Sequence, residues 1–302
     1  MKAIRKLATI VLLASAFPDL SLAIERSDAF DVGTLHVERF GAQGTPVILI
    51  PGLASGRWVW DNLIRELSPT HRVYAVTLAG FDGRPTVTGD VITLASESLS
   101  NLIAAQKLDR PILIGHSLGG TLALLYAANH PDQLDRVVAV DGLPVYPGTE
   151  HLDAAQRLAM AEQLRKQLSG KSLEEFQAQQ LDYMRHIGVV SDAQATALAK
   201  LTSRSDREAV ANYAALDMAL NLTGAIARIR VPVLEISPYL ASDFAAMSLT
   251  EEAKTGYYRT LLAGIKNLSV VSISPARHFV MIDQPEAFAK AVKRFLQSPA
   301  QN

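Results

Sequence analysis

The chain has 302 residues, 49% hydrophobic and 20% charged, a globular composition that excludes a disordered or low-complexity protein. Its 29 basic and 30 acidic residues give a net charge of -1, so no strong field favours nucleic acid or anionic lipid. The lack of cysteine removes disulfides, thiolate metal sites and a cysteine nucleophile, and no H-x-x-x-H pair of a zinc protease occurs.

Residues 1–23 read as an export signal. Lys2, Arg5 and Lys6 precede the apolar run Leu7 to Phe17, and Ser21-Leu22-Ala23 offers small residues at a cleavage site. The run is too short for a stable membrane anchor. The mature chain is expected to begin near Ile24, with 26 basic and 29 acidic residues and a net charge of -3. An exported protein without disulfides fits a bacterial periplasm or the medium.

Short β-branched runs then alternate with amphipathic stretches. Thr34–Phe40, Pro46–Ile50, Arg72–Val76, Pro111–Ile114 and Val137–Val140 are expected strands. Trp58–Leu67, Leu94–Gln106 and Leu118–Asn129 between them are expected helices. This alternation predicts an α/β fold, a mostly parallel central sheet with helices on both faces. From residue 143 to 230 no strand pattern appears, and Leu158, Ala161, Leu164 and Leu168 fall at helical spacing. Ser172 with Glu175, Ser191 with Gln194, and Ser205 with Glu208 have capping-box spacing, so about four helices are expected there. The alternation resumes with strand Val231–Ile236, helix Ser248–Ile265, strand Leu268–Ile273 and helix Pro285–Gln297. The expected organisation is a core of residues 24–142 and 231–302 interrupted by a helical cap, residues 143–230.

The sharpest chemical signal is Gly115-His116-Ser117-Leu118-Gly119-Gly120, set between an expected strand and an expected helix. A strand that turns sharply into a helix strains its turn residue and needs glycine on either side, which lifts the Ser117 hydroxyl above the sheet. A serine hydroxyl needs an adjacent base. His278 lies in a loop just past the strand Leu268–Ile273, where such a base must arise in an open α/β sheet. A carboxylate must then hold the imidazole tautomer. Asp243 has the chain order Ser117, Asp243, His278 and is the first choice, although its loop is long. Asp141, at the end of Val137–Val140, is the alternative. Glu235 is unusual, a carboxylate within an apolar strand that needs a partner.

Oxyanion stabilisation requires converging backbone N–H groups. Leu118 at the helix start is one candidate, and Leu53 in the Pro51-Gly52-Leu53 loop is the other. Trp58 and Trp60 follow that loop and either line an acyl pocket or pack the core. In the cap, Phe176, Met184 and Tyr213 are candidate pocket residues. The expected ligand is a small ester-like molecule, not nucleic acid.

These residues, with Ala79-Gly80-Phe81-Asp82-Gly83-Arg84-Pro85 and Arg277-His278-Phe279, resemble the α/β-hydrolase superfamily over residues 30–298, most closely its capped bacterial esterase-like branch. Pro51 stands where that family often has histidine, and the acid loop is longer than usual. Ser117 in the elbow disfavours the members with an aspartate nucleophile. The resemblance implies cofactor-independent hydrolysis of an ester or similar acyl bond by Ser117, His278 and Asp243. A perhydrolase or haloperoxidase-like enzyme, a carbon–carbon bond hydrolase, and a ligand-binding relative with poor turnover share the same residues.

Overall fold

The computed structural model describes residues 28–298, so the export signal expected over residues 1–23 lies outside the described residues. Eight strands form one sheet: β1 (Asp28–Val32), β2 (Leu35–Phe40), β3 (Pro46–Ile50), β4 (Arg72–Leu78), β5 (Ile112–His116), β6 (Val137–Val140), β7 (Val233–Pro238) and β8 (Leu268–Ile273). Their spatial order is β1-β2-β4-β3-β5-β6-β7-β8. The β1–β2 and β2–β4 pairs are antiparallel, and every other pair is parallel. Strands β3, β5 and β6 are buried at every position, which is why they read as unbroken apolar runs instead of alternating ones.

The helices, in chain order, are α1 (Asp61–Leu67), α2 (Val91–Ala105), α3 (Leu118–Asn129), α4 (Ala154–Leu168), α5 (Leu173–Tyr183), α6 (Asp192–Thr202), α7 (Arg207–Ala219), α8 (Ala241–Phe244), α9 (Glu251–Leu261), α10 (Val280–Asp283) and α11 (Pro285–Gln297). Apolar side chains of α2, α3 and α9 pack with one face of the sheet, and those of α1 and α11 with the other. Trp60 stacks on Phe288 across the second layer, ring centroids 6.2 Å apart.

Helices α4 to α7 fill the stretch between β6 and β7. Their starts follow local capping chemistry. Ser172 and Glu175 form a reciprocal capping box on α5, and Asp153 with Gln156 forms another on α4. Two expected starts are displaced. Asp206, not Ser205, caps α7 by accepting from the Ala209 N–H at 2.9 Å. Thr250, not Ser248, caps α9, because Ser248 sits in a left-handed turn that ends the preceding segment. Ser205 instead donates its hydroxyl to the Ala54 carbonyl oxygen at 3.0 Å and accepts from the Asp82 N–H at 3.0 Å. The backbone around it reinforces the attachment: Gly83 N–H donates to Arg204 and Asp206 N–H donates to Gly80.

Candidate active site

The register of the three central strands puts the chemistry at one edge. His116 of β5 pairs with Val140 of β6, which pairs with Ile236 of β7. The residues that follow, Ser117 and Asp141, therefore leave the carboxyl ends of adjacent strands side by side. The Ser117 N–H donates to the Val140 carbonyl oxygen at 2.8 Å, and the Asp141 N–H donates to that of Ile236 at 2.9 Å.

Ser117 has φ 51° and ψ -122° at the start of α3, a strained conformation for a residue with a side chain. The neighbouring glycines permit it. A Cβ on Gly115 would sit 2.0 Å from the Gly119 carbonyl oxygen, and one on Gly119 would sit 2.3 Å from that of Ile50. The loop after β3 comes equally close: a Cβ on Gly52 would lie 3.1 Å from Ser117 Cβ. That approach brings Leu53 beside the elbow, where it lines a common cavity with Ser117 and Leu118.

His278 follows β8 and precedes α10, and its side chain opens into the same cavity. Its Nδ1 is 2.5 Å from Oδ2 of Asp141. The other oxygen of Asp141 accepts from the Tyr258 hydroxyl. Burial alone would raise the Asp141 carboxyl, but the facing His278, the Lys254 ammonium and the two hydrogen bonds outweigh it and hold the group well below the usual carboxylate range. His116 buttresses the base from behind. It is fully buried, and its Nε2 donates to the His278 carbonyl oxygen at 3.0 Å. Burial, with His278 alongside, pushes its imidazole well below the usual range.

Asp243 does not meet His278, which corrects the first choice made from chain order. Strand β7 continues past Ile236 to Pro238, and the chain then turns into α8, which carries Asp243 onto Arg277. Both Asp243 carboxylate oxygens are taken by that guanidinium, at 2.7 and 2.8 Å. Arg277 also donates to the Val189 carbonyl oxygen at 3.1 Å, so the pair ties the loop bearing His278 to the end of a π-helical turn, Met184–Gly188.

The cavity is about 480 Å³, roofed by α4, α5, the π-helical turn and α7. Of the expected pocket residues, Phe176 and Met184 line it. Trp58 and Tyr213 do not, and each packs elsewhere. Trp58 stacks on Phe279 at 6.4 Å, and Tyr213, fully buried, packs on Phe81 at 4.8 Å. Their places, just after the Pro51-Gly52-Leu53 loop and within the cap, made them candidates, and both are packing positions.

A model of the Alpha/beta hydrolase family matches residues 47–291. The chain belongs to the alpha/beta hydrolase family. Among curated relatives, a pimeloyl-[acyl-carrier protein] methyl ester esterase of Pectobacterium carotovorum is 30% identical over 115 residues, 38% of this chain and 44% of that protein. A 1-acylglycerol-3-phosphate O-acyltransferase of Rattus norvegicus is 31% identical over 128 residues, 40% of this chain and 36% of that one. The chain thus matches less than half the length of these relatives. An enol-lactonase from Burkholderia xenovorans superposes with a TM-score of 0.71 at 20% identity, covering 90% of this chain and 100% of that chain. A thermophilic esterase from Thermogutta terrifontis gives 0.69 at 21% identity, covering 90% and 98%. At that identity the likeness establishes the fold alone.

Within this alpha/beta hydrolase, three polar groups at the site carry no sequence motif. Tyr258 lies on α9 and Lys254 one turn before it, with the Lys254 ammonium 5.2 Å from the Tyr258 ring centroid. Asp217 lies on α7 inside the Ala-rich run Ala209–Ala219, where a lone acid among apolar residues is the only hint.

Proposed function

We propose that the protein is a cofactor-independent serine hydrolase that cleaves a carboxylic ester or similar acyl bond. The observation that carries the reading is the placement of Ser117 and the His278–Asp141 pair at the carboxyl ends of neighbouring strands around one cavity.

In this mechanism Ser117 Oγ attacks the acyl carbon while His278 Nε2 takes its proton. Asp141 holds the Nδ1 proton and so keeps Nε2 free to accept, and its charge stabilises the imidazolium that forms. Negative charge gathers on the former carbonyl oxygen, facing the backbone N–H groups of Leu53 and Leu118. Collapse expels the alcohol with the proton from His278 and leaves an acyl-Ser117 ester. Water repeats the sequence, releasing the acid and restoring the serine. Roofing by the helical insertion keeps bulk water away from the developing charge, where oriented dipoles act more strongly.

The test is covalent. A fluorophosphonate is expected to label Ser117 at one equivalent and abolish hydrolysis of an activated short-chain ester, and the Ser117→Ala variant is expected neither to be labelled nor to hydrolyse the ester. His278→Ala is expected to be about as inactive, because triad members act as a unit. Retention of more than about a tenth of the activity in either variant overturns the assignment. A burst of one equivalent that then stops assigns the chain to ligand binding with poor turnover.

A further inference from the structure

The cavity has a polar corner that this acyl transfer does not use. Thr121 lies one turn after Ser117 on α3, Asp217 lies on α7, and both line the cavity. Leu143, Val145, Ala214 and Leu220 line the same cavity, as does Tyr146, whose phenol the Asp217 charge helps to raise after burial. Thr121 is buried, and its single hydroxyl proton is already given to the Leu143 carbonyl oxygen at 3.0 Å. That leaves the Asp217 carboxyl, which lies beside the same hydroxyl and is lowered by it, competing with the Leu143 carbonyl for one proton. No basic side chain of the described residues offsets the Asp217 charge, and burial pushes this carboxyl up to about 7. Thr121 thus satisfies only part of this half-buried carboxyl, which lines the cavity.

We propose that Asp217 is a specificity-determining residue that binds a hydroxyl group on the substrate, so that the natural ester carries a hydroxyl on its acyl or alcohol part. The proposal names the substrate class of the serine-hydrolase reading and rests on it. A hydroxyl both donates and accepts, so it pairs with Asp217 whether the carboxyl is protonated or ionised. An ammonium pairs only with the ionised form, which burial disfavours. A purely alkyl substrate leaves Asp217 with no partner beyond Thr121 and drier than in the free protein, a penalty that discriminates more sharply than an added methylene does.

The test compares matched esters that differ by one hydroxyl. One pair is a 4-nitrophenyl alkanoate and its terminally hydroxylated analogue. The other is an alkyl acetate and the corresponding hydroxyalkyl acetate. Rates are divided by the fraction of each protein that fluorophosphonate labels, so misfolded material does not count. The wild-type enzyme is expected to favour the hydroxylated member of at least one pair by on the order of tenfold in kcat/KM. Asp217→Leu is expected to bring that ratio close to one, and Asp217→Asn to retain most of it, because an amide also donates and accepts. The same ratio is read without turnover as Kd for each pair on Ser117→Ala by calorimetry. Should wild type neither label nor cleave any ester, the hydrolase reading fails, and the calorimetric ratio alone decides Asp217. The assignment to Asp217 is overturned if wild type shows no hydroxyl preference in either pair, or if Asp217→Leu leaves the preference intact. Stronger selection for an aminoalkyl analogue than for the hydroxylated ester also overturns it, in favour of a cation site.

Discussion

The Tyr258 hydroxyl donates to Oδ1 of Asp141 from a helix 117 residues further along the chain. The carboxylate is thus held from both sides, by His278 on one oxygen and by Tyr258 on the other. Tyr258→Phe removes one donor without emptying the packing volume. The expected result is a loss of roughly tenfold in kcat with KM little changed, and about 1 kcal/mol of stability. Steady-state kinetics and denaturant titration check both. An unchanged kcat shows that His278 alone fixes the acid.

The two candidate acids separate cleanly by mutation. Asp141→Asn replaces the partner of His278 Nδ1 by an amide that favours the wrong tautomer, and kcat is expected to fall by about 10⁴. Asp243→Asn frees the partly exposed Arg277, which costs on the order of 1 kcal/mol of stability and less than about tenfold in kcat. The reverse pattern would return the role to Asp243.

Phe176 and Met184 face the cavity, whereas Trp58 and Tyr213 are packed against rings elsewhere. Phe176→Ala and Met184→Ala are expected to shift the ester chain-length optimum toward longer acyl groups. Trp58→Ala and Tyr213→Ala are expected to cost about 3–5 kcal/mol of stability and leave the optimum in place. A chain-length series beside thermal melts reads the contrast, and a shifted optimum in the second pair would reopen the pocket assignment.

Glu235 is fully buried on β7, and burial, with the Asp141 charge nearby, pushes its carboxyl well above the usual range. The folded protein therefore keeps a proton that the unfolded chain releases above about pH 4.3. Stability falls as pH rises from there toward the folded value, by up to about 1.4 kcal/mol per pH unit. Glu235→Gln removes that slope at nearly constant shape. Denaturant titrations at pH 5 and pH 8 are expected to show the variant gaining on wild type as pH rises, and a constant gap would mean that Glu235 is ionised in the fold.

Much of this arrangement is legible in the sequence alone. The elbow is readable because strand, glycines, serine and helix are contiguous, so local sterics alone determine the turn. His278 is readable because it follows an apolar run at the distance a strand-end loop requires. The acid is harder, because its identity depends on how far two neighbouring strands extend. Strand β6 stops at Val140, while β7 runs on to Pro238 and delivers Asp243 to Arg277. Trp58 and Tyr213 fail for a related reason: a place beside the Pro51-Gly52-Leu53 loop or among the apolar residues of the cap does not say whether core or cavity lies opposite. Tyr258 has no local pattern because its partner is set by tertiary packing. The displaced caps at Asp206 and Thr250 reflect adjacent Ser, Thr and Asp residues competing for one role.

The attachment of the α6–α7 connection to the core has an architectural consequence. Ser205 bonds to Ala54, next to Leu53, while Arg204 and Asp206 share backbone hydrogen bonds with the loop at Gly80 and Gly83. The helical insertion is therefore not a portable module. Grafting residues 143–230 onto another core of this fold would strand a buried serine unless the recipient supplied a carbonyl where Ala54 stands. Conversely, α7 begins next to Ser205, which bonds to Ala54, so remodelling that helix is expected to be felt at the loop beside Ser117.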